Sequence, residues 1–159
     1  MQIEIRPFRA SETGLLKEFL YQAIFVPEGM EAPDRSIVEQ PELVIYYKDF
    51  GKRQADNCIV AEADGTVVGA VWTRIMNDYG HVDDETPSFA ISLYKEYRGK
   101  GIGTMMMQKM LELLKSQGYE RASLAVQKEN DAVRMYERVG FRIVDENDEE
   151  YIMVCELQE

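Results

Sequence analysis

The stretch "YKEYRGKGIGTMMMQKML", Tyr94–Leu111, carries three glycines at every second position, between an apolar run and a segment rich in Met and Leu. The apolar run predicts a strand, and the periodic segment predicts a helix. A loop that enters a helix presents free backbone N–H groups where the helix dipole favours negative charge. Glycine also permits positive φ and lets an anion approach closely. The loop therefore predicts a site for a phosphate-bearing ligand.

Nearby side chains strengthen this prediction, since Arg98 and Lys100 add positive charge and Thr104 adds a hydroxyl. The alternative is a glycine-rich tight turn with incidental charges. Two nucleotide-binding patterns do not match. The Gly-x-x-x-x-Gly-Lys-Ser/Thr pattern fails on spacing, and the dinucleotide pattern lacks its third glycine because Thr104 or Met106 stands there.

The chain before the loop predicts one strand, two helices and three strands. After a strand at Ile3–Arg6, Ser11 can cap a helix that ends by Pro27 and Gly29. A second helix is predicted in "PELVIYYKDFG", from Pro41 to Gly51. Two β-rich runs joined by Asp64-Gly65 then predict an antiparallel hairpin, and a fourth strand follows at Ser88–Leu93. This hairpin does not suit a doubly wound dinucleotide fold.

The chain after the loop predicts a helix with an apolar face of Met107, Met110, Leu111 and Leu114. A fifth strand, "RASLAV", leads to a short helix that begins at Asn130 and ends at Gly140. The last segment predicts two strands around the six-residue polar turn "DENDEE". The predicted order is β-α-α-β-β-β-α-β-α-β-β, an α/β (α+β) fold in a single domain, residues 1–159.

Composition limits the partners. The net charge of −11 argues against a nucleic-acid partner, although the block from 95 to 142 carries ten Lys and Arg against six Asp and Glu. No apolar run reaches the length of a membrane span, and the start lacks the apolar core of a signal peptide, so we predict a cytoplasmic protein without a membrane partner. Cys58 and Cys155 lack metal-type spacing, which favours buried reduced thiols and no metal site.

Two motifs about 30 residues apart resemble the GNAT superfamily of N-acetyltransferases. The loop of that family, Gln/Arg-x-x-Gly-x-Gly/Ala after the fourth strand, is matched by Arg98, Gly101 and Gly103. The Asn and Tyr of the following family helix, with Gly-Phe after them, are matched by Asn130 and Tyr136 and by Gly140-Phe141. The element order agrees over essentially the whole chain. One departure is Lys95, where many members have proline.

The resemblance implies a GNAT fold, with a mixed, mostly antiparallel seven-stranded sheet and about four helices. It implies that strands four and five splay apart around acetyl-CoA. The backbone from Ile91 to Leu93 would pair with the pantetheine arm, and Asn130 would contact this arm or only cap its helix. The pyrophosphate would be held by the loop residues Arg98, Gly99, Lys100, Gly101, Ile102, Gly103 and Thr104.

Acetyl transfer to an amine needs a neutral nucleophile, an oxyanion stabiliser and an acid for the thiolate. The resemblance assigns Tyr136 as that acid and a backbone N–H near Leu93 as the oxyanion donor; the alternative for Tyr136 is a core aromatic. The base is open among His81, Asp83, Asp84 and Glu85 and a water relay. Glu85 lies 13 residues before Arg98, as a catalytic glutamate does in some relatives.

The family acceptor site would involve two acidic segments, one with Glu28, Glu31 and Asp34 and one from Asp145 to Glu150. Both favour a cationic acceptor, which is a small-molecule amine or a peptide amine. Aromatic residues that could add cation–π contacts, but that are more commonly buried, are Tyr46, Tyr47 and Phe50. The resemblance also allows a homodimer. The alternative function is a catalytically silent acyl-CoA-binding sensor or regulatory module.

Overall fold

The computed structural model describes residues 2–158 as a seven-stranded sheet in the order β1-β2-β3-β4-β5-β7-β6, with helices on both faces. The strands are β1 (Ile3–Pro7), β2 (Asn57–Ala63), β3 (Thr66–Arg74), β4 (Ser88–Leu93), β5 (Arg121–Gln127), β6 (Phe141–Glu146) and β7 (Glu150–Glu156). The α-helices are α1 (Leu15–Ala23), α2 (Pro41–Val44), α3 (Ile102–Ser116) and α4 (Ala132–Val139). Short 3₁₀ turns lie at Ala10–Glu12, Arg35–Glu39 and Lys95–Tyr97. The predicted order of elements is confirmed.

The sheet opens between β4 and β5. These two strands are parallel, whereas the other neighbouring strands are antiparallel. Their register contains one residue pair, Ser88 with Ser123, near the start of both strands. Beyond that pair the strands separate, and we call the opening between their C-terminal halves the gap. The splay that the resemblance implied is therefore present.

Each face of the sheet carries its own core. On one face, α3 buries Met106, Met107, Met110 and Leu114 completely and Leu111 nearly so, which confirms its predicted apolar face. On the other face, α1 and the turns around α2 cover Trp72. Burying a large apolar side chain contributes about 1.5–3 kcal/mol. The layer under α3 therefore holds strands on both sides of the gap, and the layer under α1 holds the strands on the β4 side. Cys58 and Cys155 are buried free thiols, as predicted.

The β2–β3 hairpin is also confirmed. Asp64 and Gly65 have φ angles of 48° and 87°, the positive values that a tight two-residue turn requires. The first residue of α2 is Pro41, as predicted, but this helix has only four residues before the chain continues in turns to Gly51.

The predicted cap of α1 is wrong. Ser11 lies within the 3₁₀ turn, and α1 begins at Leu15 without a side-chain cap. The reason is Glu12, whose carboxylate accepts hydrogen bonds from the Arg9 N–H at 2.8 Å and the Arg6 guanidinium at 2.7 Å. These bonds hold the segment in a separate turn. Arg6 keeps the pKa of Glu12 at about 2.

The predicted six-residue turn at the end of the chain is also wrong in its bounds. The ladder between β6 and β7 extends to the pair Glu146 and Tyr151, so only residues 147–149 form the connection. The Asn147 side chain explains the tight turn, because its Oδ1 accepts from the N–H groups of Glu149 and Glu150 at 2.8 and 2.7 Å.

Candidate active site

A cavity of about 800 Å³ lies at the C-terminal end of β4. Five parts of the chain form its walls: the last turn of α1, the loop 24–33, the end of β4, the glycine loop with the turn before it, and the first half of α4 with residues 129–131. The cavity therefore joins the gap to the glycine loop and to the segment that links the first two helices. Its volume falls in the range of typical small-molecule sites.

The glycine loop has the geometry of an anion nest. Gly99 and Gly101 have φ angles of 74° and 83°, and α3 begins directly after Gly101. Within the described chain, no backbone carbonyl accepts from the N–H groups between Gly99 and Thr104; the first helical bond runs from Met105 to Gly101 at 3.2 Å. These donors point out of a helix N-terminus, where an anion is favoured.

The loop side chains differ in what they contact. Ile102 is buried in the core, so only its backbone N–H can reach a ligand. Lys100 is exposed, and Thr104 is half-buried. Gly103 lies between β4 and α4, because a Cβ added there would lie 3.6 Å from the Met135 side chain and 3.8 Å from that of Leu93. The Arg98 guanidinium donates to two carbonyls, Leu93 O at 3.0 Å and Gln22 O at 3.1 Å.

The edge of β4 supplies further donors. Tyr94 N–H donates to Val68 O at 2.9 Å, which shows that even-numbered residues of β4 direct their N–H groups toward β3. Because backbone groups alternate along a strand, the N–H groups of Ile91 and Leu93 face the gap. Both residues line the cavity. The predicted pairing edge and the predicted oxyanion donor thus share one side of β4.

Tyr136 lies in α4 and lines the same cavity. Its side chain is 7% exposed and its ring packs edge-on against Phe141, with centroids 6.2 Å apart. Burial raises its pKa to about 12, so the phenol stays protonated near neutral pH. Its hydroxyl makes no hydrogen bond to any residue between 2 and 158. The ring is thus a core aromatic, and its protonated hydroxyl is free to bond to a ligand in the cavity.

Asn130 lies at the start of α4 and also lines the cavity. Its Oδ1 accepts from the N–H of Ala132, the first residue of α4, at 2.9 Å. The N-cap position itself is Asp131, so Asn130 bonds to the helix start as predicted but lies one residue before the cap. The carbonyl oxygen of the side chain is used in this way, while the amide nitrogen keeps its donors for a ligand.

Glu85 lies elsewhere. It is exposed and lines a second cavity of about 540 Å³, together with Arg53 and Tyr119. This cavity is lined by residues just before β4, whereas Tyr136 lines the larger cavity together with the last residues of β4. The strand has six residues and so spans roughly 17 Å. The structure therefore does not bring Glu85 and Tyr136 together, and the role of Glu85 stays a prediction.

The other candidate bases lie near Glu85. Asp83 accepts from Thr86 Oγ1 at 2.8 Å and from Arg121 at 2.6 Å, and the Thr86 bond leads the interactions that lower its pKa. His81 Nε2 lies 3.3 Å from the exposed carboxylate of Asp84. Asp83 is thus engaged in holding the loop, and none of the three lines the larger cavity.

The predicted acceptor segments are only partly brought together with the cavity. Glu28 lines it, whereas Glu31 and the segment from Asp145 to Glu150 do not. Asp34 is engaged as a cap, because its Oδ2 accepts from the Ser36 N–H at 3.1 Å. The aromatic residues Tyr46, Tyr47 and Phe50 pack against the core of the α1 face and do not line the cavity.

Some residues of the site were not predicted. Tyr21 lines the cavity, and its hydroxyl donates to Pro33 O at 2.6 Å, which closes the loop 24–33 at its base. Glu129 and Asp131 also line the cavity beside Asn130. The sequence could have indicated these two residues, because they flank the Asn of the second motif. No sequence signal linked Tyr21 to Pro33, because this contact depends on how the loop folds back.

A half-buried carboxylate, Asp78, was also missed. Asp78 accepts from Tyr46 Oη at 3.2 Å and from Ser88 Oγ at 3.1 Å, and burial raises its pKa. Next to it, Gly80 packs against the backbone of β5, with Gly80 O accepting from Ser123 Oγ at 2.7 Å. This segment therefore connects β4 and β5 at the point where they separate.

The splayed sheet and the glycine loop define the class of this protein, and the comparison with known families agrees. Residues 24–141 match the model of the Acetyltransferase (GNAT) family, so the chain belongs to that family. Within residues 2–158, none of the helices combines the length and apolar character that a bilayer crossing requires.

Particular relatives are more distant. The chain is 28% identical over 133 residues to the uncharacterized N-acetyltransferase YobR of Bacillus subtilis (strain 168), across 83% of this chain and 47% of that protein. It thus spans about half the length of that relative. Two crystal structures share the fold. One is the PaiA N-acetyltransferase of Thermoplasma acidophilum in complex with coenzyme A, with a TM-score of 0.72 and 21% identity over 98% of this chain and 99% of that one. The other is an acetyltransferase of the GNAT family from Streptococcus pneumoniae, with a TM-score of 0.74 and 19% identity over 99% of this chain and 100% of that one.

Proposed function

We propose that the protein is an acetyl-CoA-dependent N-acetyltransferase that acts on a cationic amine by direct attack in a ternary complex. One observation carries the proposal: the cavity joins an anion nest, a strand edge with free donors and the hydroxyl of Tyr136. These are the three groups that a thioester of coenzyme A needs. The coenzyme A bound to the PaiA protein from Thermoplasma acidophilum, a protein of the same fold, supports the same cofactor.

The loop would hold the pyrophosphate through its backbone. The N–H groups from Gly99 to Thr104 would donate to the phosphate oxygens, and Lys100 would add charge. The N–H groups of Ile91 and Leu93 would bond to the pantetheine arm as a neighbouring strand would, with the Leu93 N–H near the thioester oxygen. The amide nitrogen of Asn130 would donate to the same arm.

Chemistry would proceed in one addition and one elimination. The neutral amine nitrogen attacks the thioester carbon, and the negative charge that develops on oxygen is stabilised by the Leu93 N–H. The C–S bond then breaks, and the thiolate takes the proton of Tyr136. The nitrogen, which became cationic on attack, loses a proton through water to the Tyr136 phenolate, so that the neutral amide, the free thiol and the protonated tyrosine result. The acceptor ammonium would first lose its proton to water, which makes the attacking nitrogen neutral.

The charge of the cavity favours a cationic acceptor. Lys95 and Arg98 line the loop side, and the carboxylates of Glu28, Glu129 and Asp131 line the remaining rim. An acceptor that carries a second positive charge would therefore find carboxylates away from the phosphates.

The test is a coupled thiol-release assay with acetyl-CoA and a panel of amines. We expect polyamines, lysine-like compounds, aminoglycosides or basic peptides to be acetylated in preference to amines that carry a carboxylate. Glu28→Gln should raise KM for a dicationic amine several-fold. Glu4→Gln makes the same charge change at an exposed position of β1 away from the cavity, and it should leave this KM unchanged. Acetyl-CoA binding without thiol release for any amine between about pH 6 and 9 would contradict the enzyme and favour the sensor module.

A further inference from the structure

Two donors of the Arg98 side chain are already bonded to the backbone. Its Nε–H donates to Leu93 O at 3.0 Å, and its Nη2 donates to Gln22 O at 3.1 Å. One carbonyl closes β4 and the other belongs to the last turn of α1. No carboxylate in the described chain lies within ion-pair distance of this guanidinium. Its partners are thus two backbone carbonyls from different elements.

These bonds complete the hydrogen bonding of one peptide group. The peptide that joins Leu93 to Tyr94 accepts from Arg98 through its carbonyl and donates to Val68 O at 2.9 Å through its N–H. A peptide group bonded at both ends cannot rotate without losing both bonds. The Leu93 N–H belongs to the preceding peptide group, which the pairing of Ser92 with Ala70 holds to β3. The two peptide groups share the Leu93 Cα, so holding the second one limits rotation at Leu93 and steadies the N–H that faces the gap.

The guanidinium suits this task because its donors lie in one rigid plane. A hydrogen bond from a charged donor is also stronger than one between two neutral groups. The second bond, to Gln22 O, ties the same peptide to the helix that leads into loop 24–33. Arg98 therefore connects the strand edge beside the cofactor with the wall of the cavity that Glu28 belongs to.

We infer that Arg98 is a positioning residue for acetyl transfer: it acts on the end of β4, holding the Leu93 N–H toward the thioester, and not by binding the pyrophosphate. This inference rests on the proposed function. It separates Arg98 from Lys100, whose exposed ammonium is left for the phosphates.

Two acetyl donors test the inference, acetyl-CoA and S-acetylpantetheine, which lacks the pyrophosphate. Arg98→Gln should lower kcat/KM by the same factor with both donors, on the order of 10- to 100-fold, because part of an oxyanion contact is lost. Lys100→Gln should weaken only the reaction with acetyl-CoA. A defect of Arg98→Gln that disappears with S-acetylpantetheine would show that Arg98 acts on phosphate and would overturn the inference.

Arg98→Lys provides the second variant. Lysine keeps the positive charge but cannot donate to two carbonyls from one plane, so it should remain impaired with both donors. Full activity of Arg98→Lys would overturn the inference, since charge alone would then suffice. Thermal unfolding of each variant separates local misplacement from loss of the fold.

The failure of the proposed function would look different. In that case the wild-type protein binds acetyl-CoA but acetylates no amine, and calorimetric affinities replace the rates. Arg98→Gln should then weaken S-acetylpantetheine and acetyl-CoA by equal factors, because both use the edge of β4. Weakening of acetyl-CoA alone would overturn the inference in that case too.

Discussion

Replacing Tyr136 by phenylalanine removes one hydroxyl and leaves the ring in place. The hydroxyl makes no hydrogen bond to the described residues, and the ring keeps its edge contact with Phe141. We therefore expect the free energy of unfolding to change by less than about 1 kcal/mol, because no intramolecular bond is broken. Binding of acetyl-CoA should change by less than twofold.

Turnover should respond much more strongly. A positioned general acid typically contributes 10²- to 10⁴-fold, which corresponds to roughly 3–5 kcal/mol of the activation free energy. Burial raises the pKa of Tyr136 to about 12, so nearly every molecule carries the proton across the working range of pH. The loss in Tyr136→Phe should thus be nearly constant from pH 6 to 9, and the rise of rate with pH should follow the ammonium of the acceptor.

The assay measures thiol release at saturating acetyl-CoA, together with calorimetric binding. Tyr119→Phe is the matched control, since Tyr119 is half-buried and lines the second cavity. We expect this control to retain wild-type turnover. If Tyr136→Phe keeps more than a third of the wild-type kcat, another group protonates the thiolate and the assignment fails.

Three further predictions address the loop, the base and the fold. Gly101→Glu should fold, because a Cβ there meets no atom within 4 Å, but its carboxylate should repel the phosphates and lower the affinity for acetyl-CoA at least 100-fold. The control Gly101→Ala has the same backbone strain at φ 83° without the charge, and its affinity should fall much less. An equal loss of affinity for both variants, measured by calorimetry, would refute the anion nest. Glu85→Gln tests the predicted base, and its place in the second cavity leads us to expect kcat within twofold of wild type; a 100-fold loss would establish Glu85 as the base. Glu12→Gln should lower the free energy of unfolding by about 1–2 kcal/mol at pH 7, or Tm by a few degrees. Because the pKa of Glu12 in the folded protein is lowered to about 2, this difference is present above about pH 4.5 and disappears as pH falls toward 2. A difference that persists undiminished at pH 2 would contradict the ion pair.

Much of the fold could be predicted because its signals are local. The Asp64-Gly65 turn, the apolar face of α3 and the glycines before it each depend on residues close together in the chain. The wrongly predicted cap of α1 also lies in a short segment, where two neighbouring side chains compete for the backbone N–H groups. Ser11 does not cap α1 because the Glu12 carboxylate, which is bonded to Arg6 of β1, holds the segment in a separate turn.

The candidate site was predictable where it uses the backbone. Positive φ at Gly99 and Gly101 and the N–H groups that follow require only glycine and a helix start, both of which are visible in sequence. The place of Glu85 was not predictable, because a spacing of 13 residues does not say on which side of β4 a loop residue lies. The closing of loop 24–33 by Tyr21 was likewise invisible.

The sequence by itself determined the order of elements, the anion loop and the two motifs of the family, since each of these is written in neighbouring residues. Only the tertiary structure decided which groups share the cavity. In that structure Tyr136 lines the larger cavity and Glu85 lines the second one. The Arg98 side chain donates to Leu93 O and Gln22 O. The physical reason is that side-chain direction at the gap depends on the separation of β4 from β5, a long-range packing result that no local pattern encodes.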